Sequence, residues 1–270
     1  MIRVVILAPI HNSLYARLVI IGLLREKGID VAGIVVRSSW NFQRFKSEFK
    51  RDRSRLIRKV LDKWIRGDSR FGVKSTEDLG ELSRRWNLTH KSLKSLAEES
   101  NIHYRVVRNH NQIENQNFIE SLDPDLIVFT GGGLIKDNIL SIPQIGVLNC
   151  HTGILPEFRG MDVVEWTAAE GRANDVGFGA TLHLMDQGVD TGPILIKSNL
   201  NPTKNDSFKS IREKLEVKMV ELMIEGVKGF RDNIITSHPQ EKNEGRQYYV
   251  MHPRVSEFAN KKLLDALNRT

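Results

Sequence analysis

The sequence predicts an α/β protein built on a doubly wound, mostly parallel sheet. An apolar run from Ile2 to Ala8 is followed by a helical pattern that Ser13 can cap and that ends near Gly28, and Val31 to Val36 is a second apolar run. Strand, helix and strand in this order are typical of a parallel sheet. With 40% hydrophobic residues, the 270-residue chain can build one sizeable core.

Two further strands are predicted in the middle of the chain, at residues 102–107 and 125–130, with a helix over 111–122 between them. The second strand ends in Gly131-Gly132-Gly133, and a short helix follows towards Leu140. Glycines after a strand let a ligand approach the backbone closely, although a tight strand-to-helix turn needs the same residues. Both interpretations stay open at this point.

Residues 38–100 are predicted to be an insertion into the sheet pattern, with helices around 76–87 and 90–99. The stretch Arg37–Lys74 carries 13 Lys and Arg against four acidic residues, a local charge of +9 in a chain whose net charge is +7. Apolar residues recur among these charges at helical spacing. Such a basic amphipathic segment suits nucleic acid, an anionic membrane face or a phosphorylated substrate, and it equally suits helices whose charged side is simply solvated.

The second half of the chain continues the alternation. A helix is predicted over 161–170, strands over 178–185 and 193–197, a long amphipathic helix from Asp206 or Ser207, and a short helix at the end. We therefore divide the chain into a main domain at 1–205, which contains the insertion, and a C-terminal helix and extension at 206–270.

Polar side chains are concentrated at the end of a predicted strand, Gly146–Cys150. Because strand side chains alternate, Asn149 and His151 point to one face and Cys150 to the other. An amide beside an imidazole can stabilise negative charge on a carbonyl oxygen, and Asp190, between two glycines, can orient the histidine or receive a proton. The same residue types are common in turns, so spacing alone leaves a structural role open.

A longer pattern surrounds these residues. Asn149-Cys150-His151 is followed by Leu155-Pro156-Glu157-Phe158-Arg159-Gly160, then by Trp166 and Gly171, by Gly179-Ala180-Thr181-Leu182-His183, and by Gly188-Val189-Asp190-Thr191-Gly192-Pro193-Ile194. In order and spacing, residues 129–197 resemble the catalytic half of the 10-formyltetrahydrofolate-dependent formyltransferases, which include methionyl-tRNA formyltransferase and glycinamide ribonucleotide transformylase. The resemblance covers about a quarter of the chain.

The resemblance implies a fold, a formyl donor and a site. It implies a Rossmann-like formyltransferase domain that uses N10-formyltetrahydrofolate and no metal, with Asn149, His151 and Asp190 as catalytic residues. In the implied reaction a primary amine attacks the formyl carbon, and Asn149 and a protonated His151 donate to the oxyanion. Asp190 keeps His151 charged and helps to remove the amine proton. The implied folate contacts are Gly133, Leu134, Ile135, Asp186, Gln187, Gly188 and Val189.

The acceptor amine is less well defined by these patterns. The turn Pro9–Ser13 lacks the glycine-rich phosphate turn of glycinamide ribonucleotide transformylase. The last forty residues are too few for the β-barrel domain that follows the catalytic domain in methionyl-tRNA formyltransferase. We therefore expect a nucleotide-linked amino sugar first, with methionyl-tRNA or glycinamide ribonucleotide as alternatives. Arg37–Lys74 is the candidate contact for nucleic acid, and a homo-oligomer is compatible with these patterns.

Three other classes of function compete for the same residues. Cys150 beside His151 suggests a cysteine hydrolase, but alternation places the thiol on the opposite face. His151, His183, Asp186 and Asp190 suggest a metal site, which the resembling family does not have there. A non-catalytic folate- or nucleic-acid-binding module would keep the fold and lose turnover.

The composition also bears on location. The single cysteine excludes an internal disulfide and fits a reducing compartment. The sequence shows neither a secretory signal nor about 18 uninterrupted apolar residues. We therefore expect a cytoplasmic protein without a membrane span.

Overall fold

The computed structural model describes residues 1–38, 77–241 and 243–269, so the predicted basic segment lies outside the described residues except for Arg37 and Ser38. Seven strands form the main sheet: β1 (Ile2–Ala8), β2 (Ile29–Arg37), β3 (His103–Val107), β4 (Leu126–Phe129), β5 (Gly146–His151), β7 (Phe178–Leu184) and β8 (Ile194–Leu200). Two short strands, β6 (Phe158–Gly160) and β9 (Arg246–Tyr248), form a second sheet.

The main sheet has the order β3-β2-β1-β4-β5-β7-β8. The first five strands in this order are parallel, whereas β7 is antiparallel to β5 and β8 is antiparallel to β7. The order reverses direction between β1 and β4, which is the arrangement of a doubly wound sheet. The predicted mostly parallel α/β sheet is therefore confirmed, with an antiparallel edge beside the candidate site.

Eight helices lie within the described residues: α1 (Leu14–Leu24), α2 (Leu79–Arg85), α3 (Leu93–Glu99), α4 (Ile113–Ser121), α5 (Asp137–Leu140), α6 (Val163–Ala169), α7 (Phe208–Arg231) and α8 (Pro253–Arg269). Their starts follow from local capping. The hydroxyl of Ser13 accepts the backbone N–H of Ala16 at the start of α1, and Ser207 and Ser210 form a reciprocal pair at the start of α7. The terminal helix is longer than the short helix that the sequence predicts.

Strand alternation separates two cores. Val4, Ile6 and Ala8 of β1 belong to the core that includes residues of α1, α3, α7 and α8. Val5 and Leu7 face the opposite core, which includes residues of α4 and α5. Helices therefore cover both faces of the sheet, as the alternating strand and helix patterns predict. The division of the chain at residue 205 stays a prediction. The helix α7, which follows this boundary, packs directly on the sheet.

The small sheet of β6 and β9 is not predicted by the sequence. Each strand has three residues, too few for a period-2 pattern, and the partners are far apart in the chain. Tyr248 of β9 stacks on Phe158, with 5.2 Å between ring centroids, and lies at the same distance from Trp166. Gly160 has a φ of 96°, and a Cβ there would lie 2.2 Å from the carbonyl oxygen of Tyr248. Only glycine allows this approach.

Within the ranges 1–38, 77–241 and 243–269, every helix is too short or too polar to cross a membrane.

Candidate active site

Four polar side chains share one face of the sheet where β5 ends. Asn149 of β5 is paired with His183 of β7, and His151 is paired with Thr181. Residues directly opposite in an antiparallel pair point to the same face. The turn between β7 and β8 then places Asp190 above them. Alternation in β5 therefore supplies two of the site residues, and the antiparallel addition of β7 supplies His183.

Asp190 lies close to both histidines. Its Oδ2 is 3.4 Å from Nδ1 of His151, and its Oδ1 is 3.5 Å from Nε2 of His183. Oδ2 also accepts the backbone N–H of Gly160 at 2.9 Å, and the residue has a φ of 55°. Burial opposes ionisation of this carboxyl, but the imidazole of His183, that of His151 and the Gly160 N–H outweigh burial and lower the pKa of Asp190 to about 2. Asp190 is therefore an anion at neutral pH.

The hydrogen bonds of His151 fix one tautomer of its ring. Nε2 lies 2.8 Å from the carbonyl oxygen of Phe158, and a carbonyl can only accept, so Nε2 carries a hydrogen. Burial lowers the pKa of His151, a shift that Asp190 and the Phe158 carbonyl oppose and that His183 reinforces. In the neutral ring, Nδ1 then carries the lone pair and faces Asp190. The imidazole is only 7% exposed, and the sequence-based expectation that Asp190 keeps His151 charged stays a prediction.

The hydrogen bonds of His183 similarly define its ring. Nδ1 lies 2.8 Å from the carbonyl oxygen of Leu184 and therefore donates to it. In the neutral ring Nε2 accepts the Asn149 Nδ2 hydrogen at 3.0 Å, whereas in the protonated ring its hydrogen faces Oδ1 of Asp190 at 3.5 Å. An amide nitrogen has two hydrogens, so Asn149 keeps one for another acceptor. His183 thus orients the amide of Asn149. The hydroxyl of Thr181 holds the loop that follows β5, because it donates to the carbonyl oxygen of Gly153 and accepts the N–H of Leu155.

Cys150 lies apart from this group. Its side chain is 4% exposed and packs in the core on the opposite face of the sheet. Burial raises the pKa of the thiol, so it stays protonated. The sequence-based argument against a cysteine nucleophile therefore agrees with the packing. Within the described part of the chain, no three His, Cys, Asp or Glu side chains are grouped to hold a metal ion.

The comparison with protein families decides the family. The model of the formyl transferase family matches residues 63–227, more than half of the chain. The chain belongs to the formyl transferase family. The matched range contains Asn149, His151, His183 and Asp190, so the polar group described above lies in the part that defines the family.

Similar proteins include two methionyl-tRNA formyltransferases. That of Thermodesulfovibrio yellowstonii is 35% identical over 133 residues, which is 48% of this chain and 42% of that protein. That of Clostridium perfringens is 31% identical over 184 residues, or 67% of this chain and 58% of that protein. The chain thus spans about half the length of these curated relatives.

Solved structures of formyltransferases share the fold. An N-formyltransferase from Helicobacter canadensis, in complex with folinic acid and dTDP-3-aminofucose, has a TM-score of 0.59 at 15% identity, over 98% of this chain and 81% of that one. Glycinamide ribonucleotide transformylase 1 from Symbiobacterium toebii has a TM-score of 0.55 at 15% identity, over 93% and 95%. At this identity the likeness concerns the fold.

The two segments predicted to contact folate in this formyl transferase family member are neighbours. Leu134 is 77% exposed, whereas Ile135 is buried in the core. Gln187, from the second segment, donates to Asp137 at 2.9 Å, and Asp137 begins the helix that follows the first segment. Asp186 accepts the N–H of Gly188 and the hydroxyl of Thr191, which shapes its own loop. Gly133 and Val189 lie in the same two segments, and their ligand contacts stay predictions.

Several residues around this site escape sequence reasoning. The sequence names His183 in the resembling pattern and as a possible metal ligand, but its contact with Asn149 depends on the antiparallel placement of β7 beside β5. The carbonyl of Phe158 and the N–H of Gly160 act through the backbone, so no side-chain pattern marks them. Gln240, which contacts the backbone of Asp190, lies beyond the range matched by the family model. No local signal in the sequence points to it.

Proposed function

We propose that this formyl transferase family member transfers a formyl group from N10-formyltetrahydrofolate to a primary amine. The observation that supports it is the meeting of Asn149, His151 and Asp190 at the carboxyl end of β5. They supply an amide donor, an imidazole with a defined basic atom and an ionised carboxylate. Acyl transfer to an amine needs these groups, because negative charge develops on oxygen while the nitrogen loses a proton.

In the first step the amine nitrogen forms a bond to the formyl carbon, and the carbonyl electron pair moves onto the oxygen. The second hydrogen of Asn149 Nδ2 is the donor to this oxyanion, since the first is held by His183. Removing one such donor from an enzyme typically costs about 3–4 kcal/mol of transition-state stabilisation. His183 is therefore a positioning residue for Asn149.

The proton of the attacking nitrogen passes, directly or through water, to Nδ1 of His151. Nε2 of that ring already carries a hydrogen for Phe158, so the product is an imidazolium beside the Asp190 carboxylate. When the oxyanion re-forms the carbonyl, the bond to N10 breaks and His151 returns the proton to N10. The products are a formamide and tetrahydrofolate, with His151 neutral again. Its role thus becomes proton transfer, which differs from the oxyanion donation expected from the sequence.

The residues next to this group fit a flat, polar heterocycle. Leu134 offers an exposed apolar surface, and Gly131, Gly132 and Gly133 all have positive φ, so the backbone there is open to close approach. The loop with Asp186 and Gln187 adds exposed polar groups. These features support assigning the folate to the space between the two segments.

For the acceptor we propose a nucleotide-linked amino sugar. The support is the near-complete coverage of this chain by the Helicobacter canadensis N-formyltransferase, whose structure contains dTDP-3-aminofucose. Methionyl-tRNA is the second candidate. It is favoured by the names of the relatives above 30% identity and by the +9 charge of Arg37–Lys74.

The test is an assay of purified protein with N10-formyltetrahydrofolate and a panel of amines, following tetrahydrofolate release and the mass of the formylated product. The panel contains dTDP-3-amino and UDP-4-amino sugars, methionyl-tRNA and glycinamide ribonucleotide. Turnover of a nucleotide sugar supports the proposal. If only methionyl-tRNA is turned over, with rates that fall steeply as the salt concentration rises, methionyl-tRNA and not a nucleotide-linked amino sugar is the acceptor. Folate binding without turnover of any amine would favour the non-catalytic module.

A further inference from the structure

Gln240 uses its whole amide to connect two parts of the candidate site. Its Oε1 accepts two hydrogen bonds from Arg159, at 3.1 Å from Nε and 2.9 Å from a terminal nitrogen. Its Nε2 donates to the carbonyl oxygen of Asp190 at 3.0 Å and to that of Gly192 at 2.6 Å. An amide offers two acceptor and two donor positions, and all four are used here.

These bonds complete a closed ring of contacts around the catalytic carboxylate. Arg159 is followed in β6 by Gly160, whose N–H binds Oδ2 of Asp190. Gln240 closes the ring by binding Arg159 on one side and the backbone of Asp190 on the other. Asp190 is therefore held at its carbonyl and at its carboxylate by groups that are themselves linked.

The backbone of Asp190 needs such support. A φ of 55° is uncommon for a residue with a side chain, although aspartate tolerates it better than most. In this conformation the carbonyl points to Gln240 while the carboxylate points to His151. Releasing the carbonyl would let the residue relax to a commoner conformation, which would move the carboxylate away from His151.

Both Gln240 and its partner Arg159 are held in place by the surrounding structure. His238 forms two backbone hydrogen bonds of 2.8 Å with Ile194 of β8, which fixes the chain two residues before Gln240. Arg159 is only 7% exposed, and its guanidinium donates two hydrogen bonds to the Gln240 oxygen. The geometry of the contact is thus set from both ends.

We propose that Gln240 is a positioning residue for the reaction, which acts by holding Asp190 at the distance from His151 that proton transfer requires. The inference rests on the proposed function, but its first measurement does not need turnover. Gln240 belongs to the segment after α7, so this segment contributes to the site although it lies outside the range matched by the family model.

The test uses Gln240→Glu, which has the same shape. The glutamate keeps an oxygen for Arg159 and replaces the two donors by an oxygen that repels the carbonyls of Asp190 and Gly192. Gln247→Glu is the matched control, because it adds the same charge on an exposed side chain of β9. The first readout is the titration of the His151 imidazole by NMR, and the second is kcat for the amine found in the panel.

We expect the pKa of His151 to be lower in Gln240→Glu than in Gln247→Glu, because the carboxylate that raises it has moved away. We expect kcat to fall roughly 10–100-fold, the order of loss that misplacement of a catalytic group produces. In an Asp190→Asn background, Gln240→Glu should change neither the pKa of His151 nor kcat. The effects of two residues that act through one another are not additive, and Gln240 acts through the Asp190 carboxylate.

An unchanged His151 titration in Gln240→Glu relative to its control would overturn the inference, and so would an equal further loss of kcat in the Asp190→Asn background. If thermal melting shows that Gln240→Glu does not fold, Gln240→Asn is measured against Gln247→Asn. The shorter amide keeps a bond to Arg159 and cannot reach both carbonyls. Absence of formyl transfer by the unaltered protein would remove the proposed function and leave the NMR measurement fully interpretable.

Discussion

Nδ1 of His151 and Oδ2 of Asp190 face each other across 3.4 Å, one at the end of a strand and the other in a loop. The carboxylate has a pKa of about 2, so it stays ionised over the whole range in which enzymes are assayed. Burial lowers the pKa of His151, which favours the neutral ring. The group whose charge changes during turnover is therefore the imidazole, and the aspartate stabilises the charge that forms.

The first prediction concerns Asp190→Asn. The Asp190 charge raises the pKa of His151, so its removal should lower that pKa further. Because the neutral ring is the base, the acid limb of the kcat profile should move to lower pH. The maximal kcat should fall roughly 10²-fold, since the imidazolium formed during proton transfer loses its partner. NMR titration of His151 and the pH dependence of kcat measure the two effects.

Asp265→Asn, at an exposed position of α8, is the control for loss of one negative charge. It should leave both the titration and the profile unchanged. An acid limb that moves to higher pH in Asp190→Asn would contradict the assignment of His151 as the base.

The second prediction concerns Asn149→Ala. This change removes the proposed oxyanion donor and the partner of His183 Nε2. We expect kcat to fall roughly 10²–10³-fold, with little change in the KM for the amine, because the lost interaction forms in the transition state. Steady-state kinetics measure this split. Asn174→Ala, at an exposed position, is the matched control and should retain activity. A rise in KM at constant kcat would show instead that Asn149 binds the ground state.

Much of this site follows from local patterns, and the remainder depends on tertiary register. Alternation in β5 is enough to place Asn149 and His151 on one face and Cys150 on the other. The strands β1, β2 and β4 are also predictable, since they contain apolar runs that are almost fully buried. Asp190 could be joined to His151 only through the resemblance, because nothing local states where a loop will fold back. Gln240 and the strands β6 and β9 depend on contacts between distant segments, which leave no periodic signal.

The third prediction concerns Gly160→Ala. The residue has a φ of 96°, and an added Cβ would lie 2.2 Å from the Tyr248 carbonyl oxygen. The alanine should therefore break the pairing of β6 with β9. Gly171→Ala is the control, because Gly171 also has a positive φ, of 73°, with open space around it. Strain alone costs on the order of 1–3 kcal/mol. We expect Gly160→Ala to lose more unfolding free energy than Gly171→Ala, as measured by urea denaturation.

Hydrogen exchange adds a local test of the same change. The N–H of Met161 donates to the Tyr248 carbonyl at 3.0 Å and should lose its protection in Gly160→Ala. Equal destabilisation by the two alanines, with Met161 still protected, would show that β9 adapts without cost.

The fourth prediction concerns Cys150→Ala. The thiol lies on the face opposite His151 and is kept protonated by burial, so it takes no part in the proposed reaction. We expect kcat and its pH profile to be unchanged, with a loss of about 1 kcal/mol in unfolding free energy from the smaller side chain. His151→Ala, assayed in parallel, should lose kcat. Loss of turnover in Cys150→Ala with the fold intact would reopen the hydrolase interpretation.

The last prediction concerns a buried carboxyl outside the site. Glu165 of α6 is paired with Arg212 of α7, and burial raises its pKa to about 7 although Arg212 opposes the shift. Because the folded pKa lies above the ordinary value of 4.5, the folded state binds this proton more tightly than the unfolded chain. This stabilisation is complete below about pH 4.5 and is lost as the pH rises through 7. Since a shift of one pKa unit corresponds to about 1.36 kcal/mol, the free energy of unfolding falls by about 3 kcal/mol over this range.

Glu165→Gln cannot titrate, so it should lose this contribution to the pH dependence. The unaltered protein should lose more unfolding free energy between pH 5 and pH 8 than the variant, as urea denaturation at the two pH values would show. Glu221→Gln, at an exposed position of α7, removes a carboxylate in contact with water and should keep the original dependence. If Glu165→Gln and Glu221→Gln show the same slope as the unaltered protein, Glu165 is ionised throughout, and its pairing with Arg212 outweighs its burial.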